Sequence, residues 1–262
     1  MNGNIYNSIN RLKDIHSKIV ASHPIPEDSV NILQELITYF NVLSEIGVTG
    51  DHLLDIGCGG MEKTAFFSSI GFDCYGCDDF SDPWHLEGNI LEKLIRFAKV
   101  NNIKLHSQME EYELPWPEKF FEIVVILSVI EHLHDTPRNL LNFAGKYLKS
   151  GGYLVVSMPN SVNLRKRIHV LLGKTNYPPI KDFYNSDPPW RGHVREYTMN
   201  ETVYILEQNN FVVERCLYFN AFSWKLTTAV VRKIYDLLCK ICPSLSDSFL
   251  IVSKKSGSWH PA

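Results

Sequence analysis

The chain has 262 residues, of which 45% are hydrophobic, 12% aromatic and 21% charged, and its 26 basic and 29 acidic side chains leave a net charge of −3. That balance suits a folded globular protein and excludes disorder, collagen or coiled coil as global descriptions. There is no broad basic footprint for nucleic acid, and six cysteines are too sparse for a disulfide-built scaffold. The opening segment has polar residues throughout and no apolar core of a secretory signal. No run approaches the ~18 apolar residues of a membrane span. The expected setting is therefore cytoplasmic, with reduced thiols.

In chain order, residues 1–27 read as a helical N-terminal extension to one domain over 28–262. Periodicity predicts a helix over 28–46, with Asp28 and Ser29 as caps and Gly47 as a stop. A short apolar strand over 52–56 breaks at Gly57, a helix over 62–70 ends at Gly71, and a second strand covers 72–77. A helix over 86–100, a third strand over 103–107 and a fourth, unusually β-branched, over 121–127 follow. Then come a helix over 139–148, a turn at Ser150-Gly151-Gly152 and a fifth strand over 153–158. Near-continuous apolar strands alternating with helices predict a parallel sheet covered on both faces. After Asn160 the pattern changes to a basic helix over 163–172 and a long Pro- and aromatic-rich stretch. Segments of that length inside a compact unit are usually functional or disordered. A helix over 201–210, a strand over 211–218, an amphipathic helix over 221–241 and a last strand over 249–253 complete the chain.

Chemistry concentrates at Asp55-Ile56-Gly57-Cys58-Gly59-Gly60, a strand-to-helix turn. Glycines there allow a sharp turn and close approach to a ligand, and the following helix offers its N-terminal amides. Taken alone, such a turn is also an ordinary tight connection. Asp78, with Asp79 beside it, ends the next strand about 20 residues on, where a carboxylate accepts from ribose hydroxyls. With these residues in place, the chain resembles the class I S-adenosylmethionine-dependent methyltransferases. The resemblance rests on five segments in order: Asp55 to Gly59; Tyr75-Gly76-Cys77-Asp78; Glu110-Glu111 through Pro117 into Phe121-Glu122; Leu127-Ser128 through Leu133; and Leu148 through Val156.

That resemblance implies a seven-stranded Rossmann-like α/β sheet, mostly parallel with the last strand antiparallel, helices on both faces and a cap insertion at 161–197. It implies S-adenosyl-L-methionine as cofactor, held by Asp55, Gly57, Cys58, Gly59, Asp78, Asp79, Glu110, Glu111, Leu127 and Ser128. It implies a transferase that methylates a small-molecule, sugar or lipid-linked acceptor by direct displacement. Two departures stand out: Met61 occupies the family's usual third-glycine position, and Phe121-Glu122 replaces its Phe-Asp.

On the acceptor side, the candidate catalytic residues are His132, His193 and Arg195. His132 sits in the segment after the fourth strand and reads either as a base or as a residue ordering a loop. His193 and Arg195 belong to a His-x-Arg-x-Tyr-Thr segment, either a substrate rim or a loop anchored by Arg195 and Tyr197. Cys74 and Cys77 lie on opposite faces of a strand. With Cys239 and Cys242 they read as ordinary thiols, and no metal set is expected. Arg165, Lys166 and Arg167 read as a solvated basic face. The late amphipathic helix suits packing or a homodimer, with weak membrane-surface contact as its other reading. A monomer or homodimer without nucleic-acid partners is expected. Two alternatives remain: a non-catalytic binding protein of the same fold, and a nicotinamide oxidoreductase, although the chain lacks an obvious catalytic Tyr-x-x-x-Lys.

Overall fold

In a computed structural model of the chain, residues 2–25, 32–47, 51–107, 112–221, 228–257 and 259–262 are described, with side chains from residue 9 onward. The expected caps Asp28 and Ser29 lie outside them. The chain divides into two units, residues 1–125 and 126–262.

The first unit opens with helices α1 (Asn2–Ser22) and α2 (Leu33–Glu45). There follow β1 (His52–Ile56), α3 (Glu62–Ser69), β2 (Asp73–Cys77), the short α4 (Pro83–Leu86), α5 (Ile90–Val100), β3 (Lys104–His106) and β4 (Phe121–Leu127). β4 crosses the unit boundary. β1 pairs in parallel with both β2 and β4, and β2 pairs in parallel with β3. The sequence dictates this: Leu53, Leu54, Ile56, Ile123 and Val124 are at most 1% exposed, and strands apolar on both faces belong in covered parallel sheets. Each such side chain removed from water contributes about 1.5–3 kcal/mol. α5 buries Leu94, Phe97 and Ala98, spaced to share one helix face.

The second unit holds α6 (Arg138–Tyr147), β5 (Leu148–Pro159), α7 (Leu164–Leu171), α8 (Ile180–Tyr184), α9 (Met199–Gln208), β6 (Phe211–Phe219), α10 (Ala229–Ile241) and β7 (Ser248–Lys255). β7 runs antiparallel to β5 and to β6. The seven strands follow the order β3-β2-β1-β4-β5-β7-β6, so the expected mixed, mostly parallel sheet is the one observed. Thr198 caps α9 in a reciprocal box with Glu201. The buried Lys255 ammonium donates to the Leu148 carbonyl at 2.7 Å and to the Gly145 carbonyl at 2.5 Å. The Trp259 ring covers Gly145 so closely that a Cβ there would lie 2.1 Å from it.

The boundaries differ in places for local reasons. β5 starts at Leu148 and runs through the glycine pair, Gly151 adopting a φ of 75°. Its pairing with β7 covers only Tyr153 to Pro159, so the segment before Tyr153 lies outside that ladder. The late amphipathic helix covers Ala229–Ile241, and positions 222–227 of the expected span lie outside the described residues.

Met61, at the position where the resemblance implies a third glycine, has left-handed backbone with a φ of 62°, while its side chain is fully buried. Left-handed backbone disfavours a side-chain-bearing residue by about 1–2 kcal/mol, whereas truncating a buried Met costs about 2–5 kcal/mol. The second effect wins. Met61→Gly should therefore lower stability by about 1–3 kcal/mol, and denaturant unfolding that shows the variant as stable as wild type would refute the ranking.

Candidate functional site

In the first unit, the turn after β1 is tied to the end of β2. The Gly57 and Cys58 amides both donate to the Cys77 carbonyl, at 2.8 and 3.2 Å. Gly57 and Gly59 adopt φ values of 73° and 46°, backbone that only glycine takes without strain. Asp78 accepts the Gly59 amide at 2.9 Å and the Phe80 amide at 2.8 Å, one on each carboxylate oxygen. Burial raises its pKa despite those two bonds. Among the described residues a Cβ on Gly59 would meet nothing within 4 Å, which leaves open space beside this turn. Asp79 is exposed and accepts from the amide and hydroxyl of Ser81. The two neighbouring acids thus differ sharply in setting.

Asp55 is 3% exposed and accepts the Thr64 hydroxyl at 2.6 Å. Burial pushes its pKa up to about 7, although Thr64 and Lys63 act against the rise. The Cys58 thiol is buried and its pKa lies well above the ordinary value, burial being the main cause. A residue absent from the sequence-derived set is His85. It is 2% exposed, both ring nitrogens lack a hydrogen-bond partner among the described residues, and burial lowers its pKa. Its ring lies 3.5 Å from Trp84 and 5.0 Å from Phe80 between centroids. Glu110 and Glu111 lie outside the described residues.

In the second unit, Leu127 is buried, and Ser128, with a φ of 62°, donates its amide to the Ser157 carbonyl at 2.8 Å. The 3₁₀ turn Ile130–His132 is stitched to the loop before α9. His132 Nδ1 donates to the Arg191 carbonyl at 3.0 Å and His134 Nε2 to that of Trp190 at 2.7 Å. The Val194 and Arg195 amides both donate to the Glu131 carbonyl. The His132 ring is thereby tied to that loop.

The structure brings His132 and His193 together, their ring centroids 4.8 Å apart. His193 Nδ1 donates to Glu196 Oε1 at 2.7 Å. Glu196 also pairs with the buried Lys166. Burial, with His132 and Lys166 nearby, pushes the His193 pKa down to about 4, so the ring is neutral at neutral pH. Because Nδ1 of the neutral His193 ring carries its proton, Nε2 is its acceptor nitrogen. Burial pushes Lys166 down to about 8. Lys166 is thus not the solvated cation its Arg-Lys-Arg context suggested. Donor atoms of Glu131, His132 and His193 lie within 4.8 Å of one another, a grouping able to hold a metal ion. His193, Arg195, Glu196, Tyr177 and Ser161 line a cleft of about 480 Å³. Arg195 reaches it from an exposed position, ion-paired with Glu201 at 3.0 Å and lying over the Tyr197 ring.

The profile of a family described as "Methyltransferase domain" matches residues 31–216. Among curated proteins, the chain is similar to a ubiquinone biosynthesis O-methyltransferase of Rickettsia felis, at 27% identity over 53% of this chain and 51% of that protein. The protein of the same name from Rickettsia akari is 29% identical over 53% of this chain and 50% of its own length. The chain thus spans about half the length of these relatives. In fold it is similar to a SAM-dependent methyltransferase from Aquifex aeolicus, with a TM-score of 0.53 and 16% identity over 82% of this chain and 88% of that one. It is similar too to geranyl diphosphate C-methyltransferase of Streptomyces coelicolor A3(2), solved with S-adenosyl-L-homocysteine. There the TM-score is 0.51 and the identity 13%, over 84% of this chain and 75% of that one.

Asp55→Asn should raise the melting temperature at neutral pH. Folded Asp55 holds its proton up to about 7, against about 4 in the unfolded chain. The folded state therefore binds more protons between those values, and stability falls as pH rises through that window. Above pH 7 the penalty approaches about 3–4 kcal/mol, and below about pH 4 it vanishes. Calorimetry from pH 4 to 8 checks this, and a wild-type-minus-variant difference that does not grow with pH would refute it.

Proposed function

The chain belongs to the methyltransferase-domain family, and on that premise we propose that it transfers a methyl group from S-adenosyl-L-methionine to a hydroxyl of a small-molecule acceptor. The observation that carries the donor half is the joined end of β1 and β2, where the Gly59 amide and a half-buried Asp78 meet. The residues fit such a donor. Each Asp78 oxygen has one backbone donor and keeps a second lone pair for a ribose hydroxyl. The space over Gly59 lets a ligand approach the main chain, and the orphaned His85 imidazole is a polar partner in reserve beside Asp78. Asp55, Gly57, Cys58 and Gly59 would hold the amino-acid part. Asp79, turned to solvent on Ser81, is the weaker member.

The donor supplies a sulfonium methyl that is already electrophilic, so no covalent enzyme intermediate is needed. The chain's own residues align the acceptor and exclude water. A hydroxyl must lose its proton, and this assigns His193 as general base. Its ring is neutral, its Nδ1 is held by Glu196, and Nε2 takes the proton. The Glu196 carboxylate then faces an imidazolium it stabilises. His132 holds the loop, and Arg195 at the cleft rim suits an anionic group on the acceptor. The names of the curated relatives, O-methyltransferases of ubiquinone biosynthesis, support oxygen as the nucleophile.

Adenosylhomocysteine should bind the purified protein and raise its melting temperature. Absence of heat and shift at millimolar ligand on folded protein would end the proposal. Asp78→Ala should weaken that binding by about 1.5–3 kcal/mol while Asp79→Ala leaves it nearly intact, and equal affinities would show the wrong acid was chosen. His193→Ala should lower kcat by about 10²–10⁴-fold at unchanged adenosylhomocysteine affinity. A variant with wild-type kcat on a hydroxyl acceptor would remove His193 from the chemistry.

A further inference from the structure

Helix α10 turns its apolar face outward. Val230, Val231, Ile234, Leu237, Leu238 and Ile241 are between 39% and 75% exposed. At about 100° per residue they fall within one sector roughly 120° wide along the whole helix. The opposite attachment is clear. Cys239 is buried, and the Tyr235 hydroxyl donates to the Leu245 carbonyl at 3.1 Å. The helix therefore rests on the protein through those residues and, among the described residues, leaves the stripe exposed. Lys233 and Lys240 border the stripe on the edge away from that attachment, and both are exposed. With Arg232 they make three cations against the single acid Asp236, in a chain whose net charge is −3. Asp236 in turn accepts from Asn220.

We propose that α10 is an interfacial anchor, laying this stripe into the surface of an anionic lipid bilayer while Lys233 and Lys240 meet the headgroup phosphates. An apolar sector edged by lysines is the pattern that binds such interfaces, and it is the basic edge that selects anionic ones. The helix lies on the surface, because no described helix is long and apolar enough to cross a membrane. Charge also argues against a second copy of the chain. Antiparallel pairing of two α10 stripes would set each lysine edge against the other, and like charges brought together disfavour that partner. α7 adds to the same region. Arg167 donates to the Ser244 hydroxyl at 2.9 Å, in the turn just after α10. Ile168, Leu171 and Leu172 are 45%, 84% and 67% exposed nearby in sequence. The proposal stands apart from the reaction assigned above and holds whatever the acceptor is.

The test is flotation of the full chain with phosphatidylcholine vesicles, with and without phosphatidylglycerol, alongside light scattering for oligomeric state. Wild type should float with the anionic vesicles, stay behind with the neutral ones, and be released by high salt. Lys233→Gln and Lys240→Gln should each lower partitioning about fivefold. Leu237→Asp should abolish it without moving the melting temperature, since the side chain is exposed. The lysine variants and the salt dependence keep the test decisive if Leu237→Asp fails to fold. Absence of flotation with anionic vesicles, or equal flotation of wild type and Leu237→Asp, would overturn the proposal. So would a solution dimer that Leu237→Asp dissociates while vesicle binding is absent, which would give the stripe to a second copy.

Discussion

One carbonyl organises the first unit. Cys77, the last residue of β2, accepts amides from both Gly57 and Cys58, the first two residues after β1. Two donors on one acceptor force the chain leaving β1 to bend across the end of β2. That bend aims the Gly59 amide at Asp78 and leaves Asp55 buried beneath, on Thr64. The glycines, the positive φ of Met61 and the raised pKa of Asp55 all follow from this crossing. A fold that keeps the Asp55 carboxyl desolvated is less stable than it could be, and such stored cost is common where a site is pre-organised.

The second unit shows the same logic with different parts. The Glu131 carbonyl gathers two amides, and the side chains of His132 and His134 reach two further carbonyls of the same loop. The loop is fixed by its main chain, so the side chains it carries are presented without needing to hold themselves in place. Glu196 then connects His193 to Lys166. Burial acts in the same sense on both bases: each is pushed toward its neutral form. Low dielectric and crowded positive charge favour shedding a proton.

Much of this was legible in the amino-acid order. Parallel strands announce themselves as continuous apolar runs, and the β1 turn and Asp78 lie within one contiguous stretch whose spacing is fixed by strand and helix lengths. Pairing partners that arise only after folding were not legible. Lys166 sits between two arginines and reads as solvent-facing; only the approach of Glu196, thirty residues on, makes it a buried pair. His85 lies in a Pro-Trp-His-Leu stretch with no periodicity to place it inside, and its burial comes from Trp84 and Phe80 folding around it. Arg195 was expected to face substrate, and its tie to Glu201 came from the capping box of α9. Local pattern specifies elements, whereas long-range electrostatic partners depend on tertiary geometry.

Gly60 shows how a motif can carry two unrelated demands. A Cβ at that position would lie 2.7 Å from Glu62 Oε2 and 3.3 Å from the His23 ring, and His23 Nε2 donates to the Gly60 carbonyl at 2.7 Å. His23, just past the end of α1, therefore fills the clearance that a missing side chain provides. Counted along the sequence, three glycines in four residues look like a single allowance for a ligand. In space, two serve the turn and the third is a socket for the segment following the first helix. The glycine content of the run thus records where a distant part of the chain docks, and transplanting the motif without that segment would leave an empty socket.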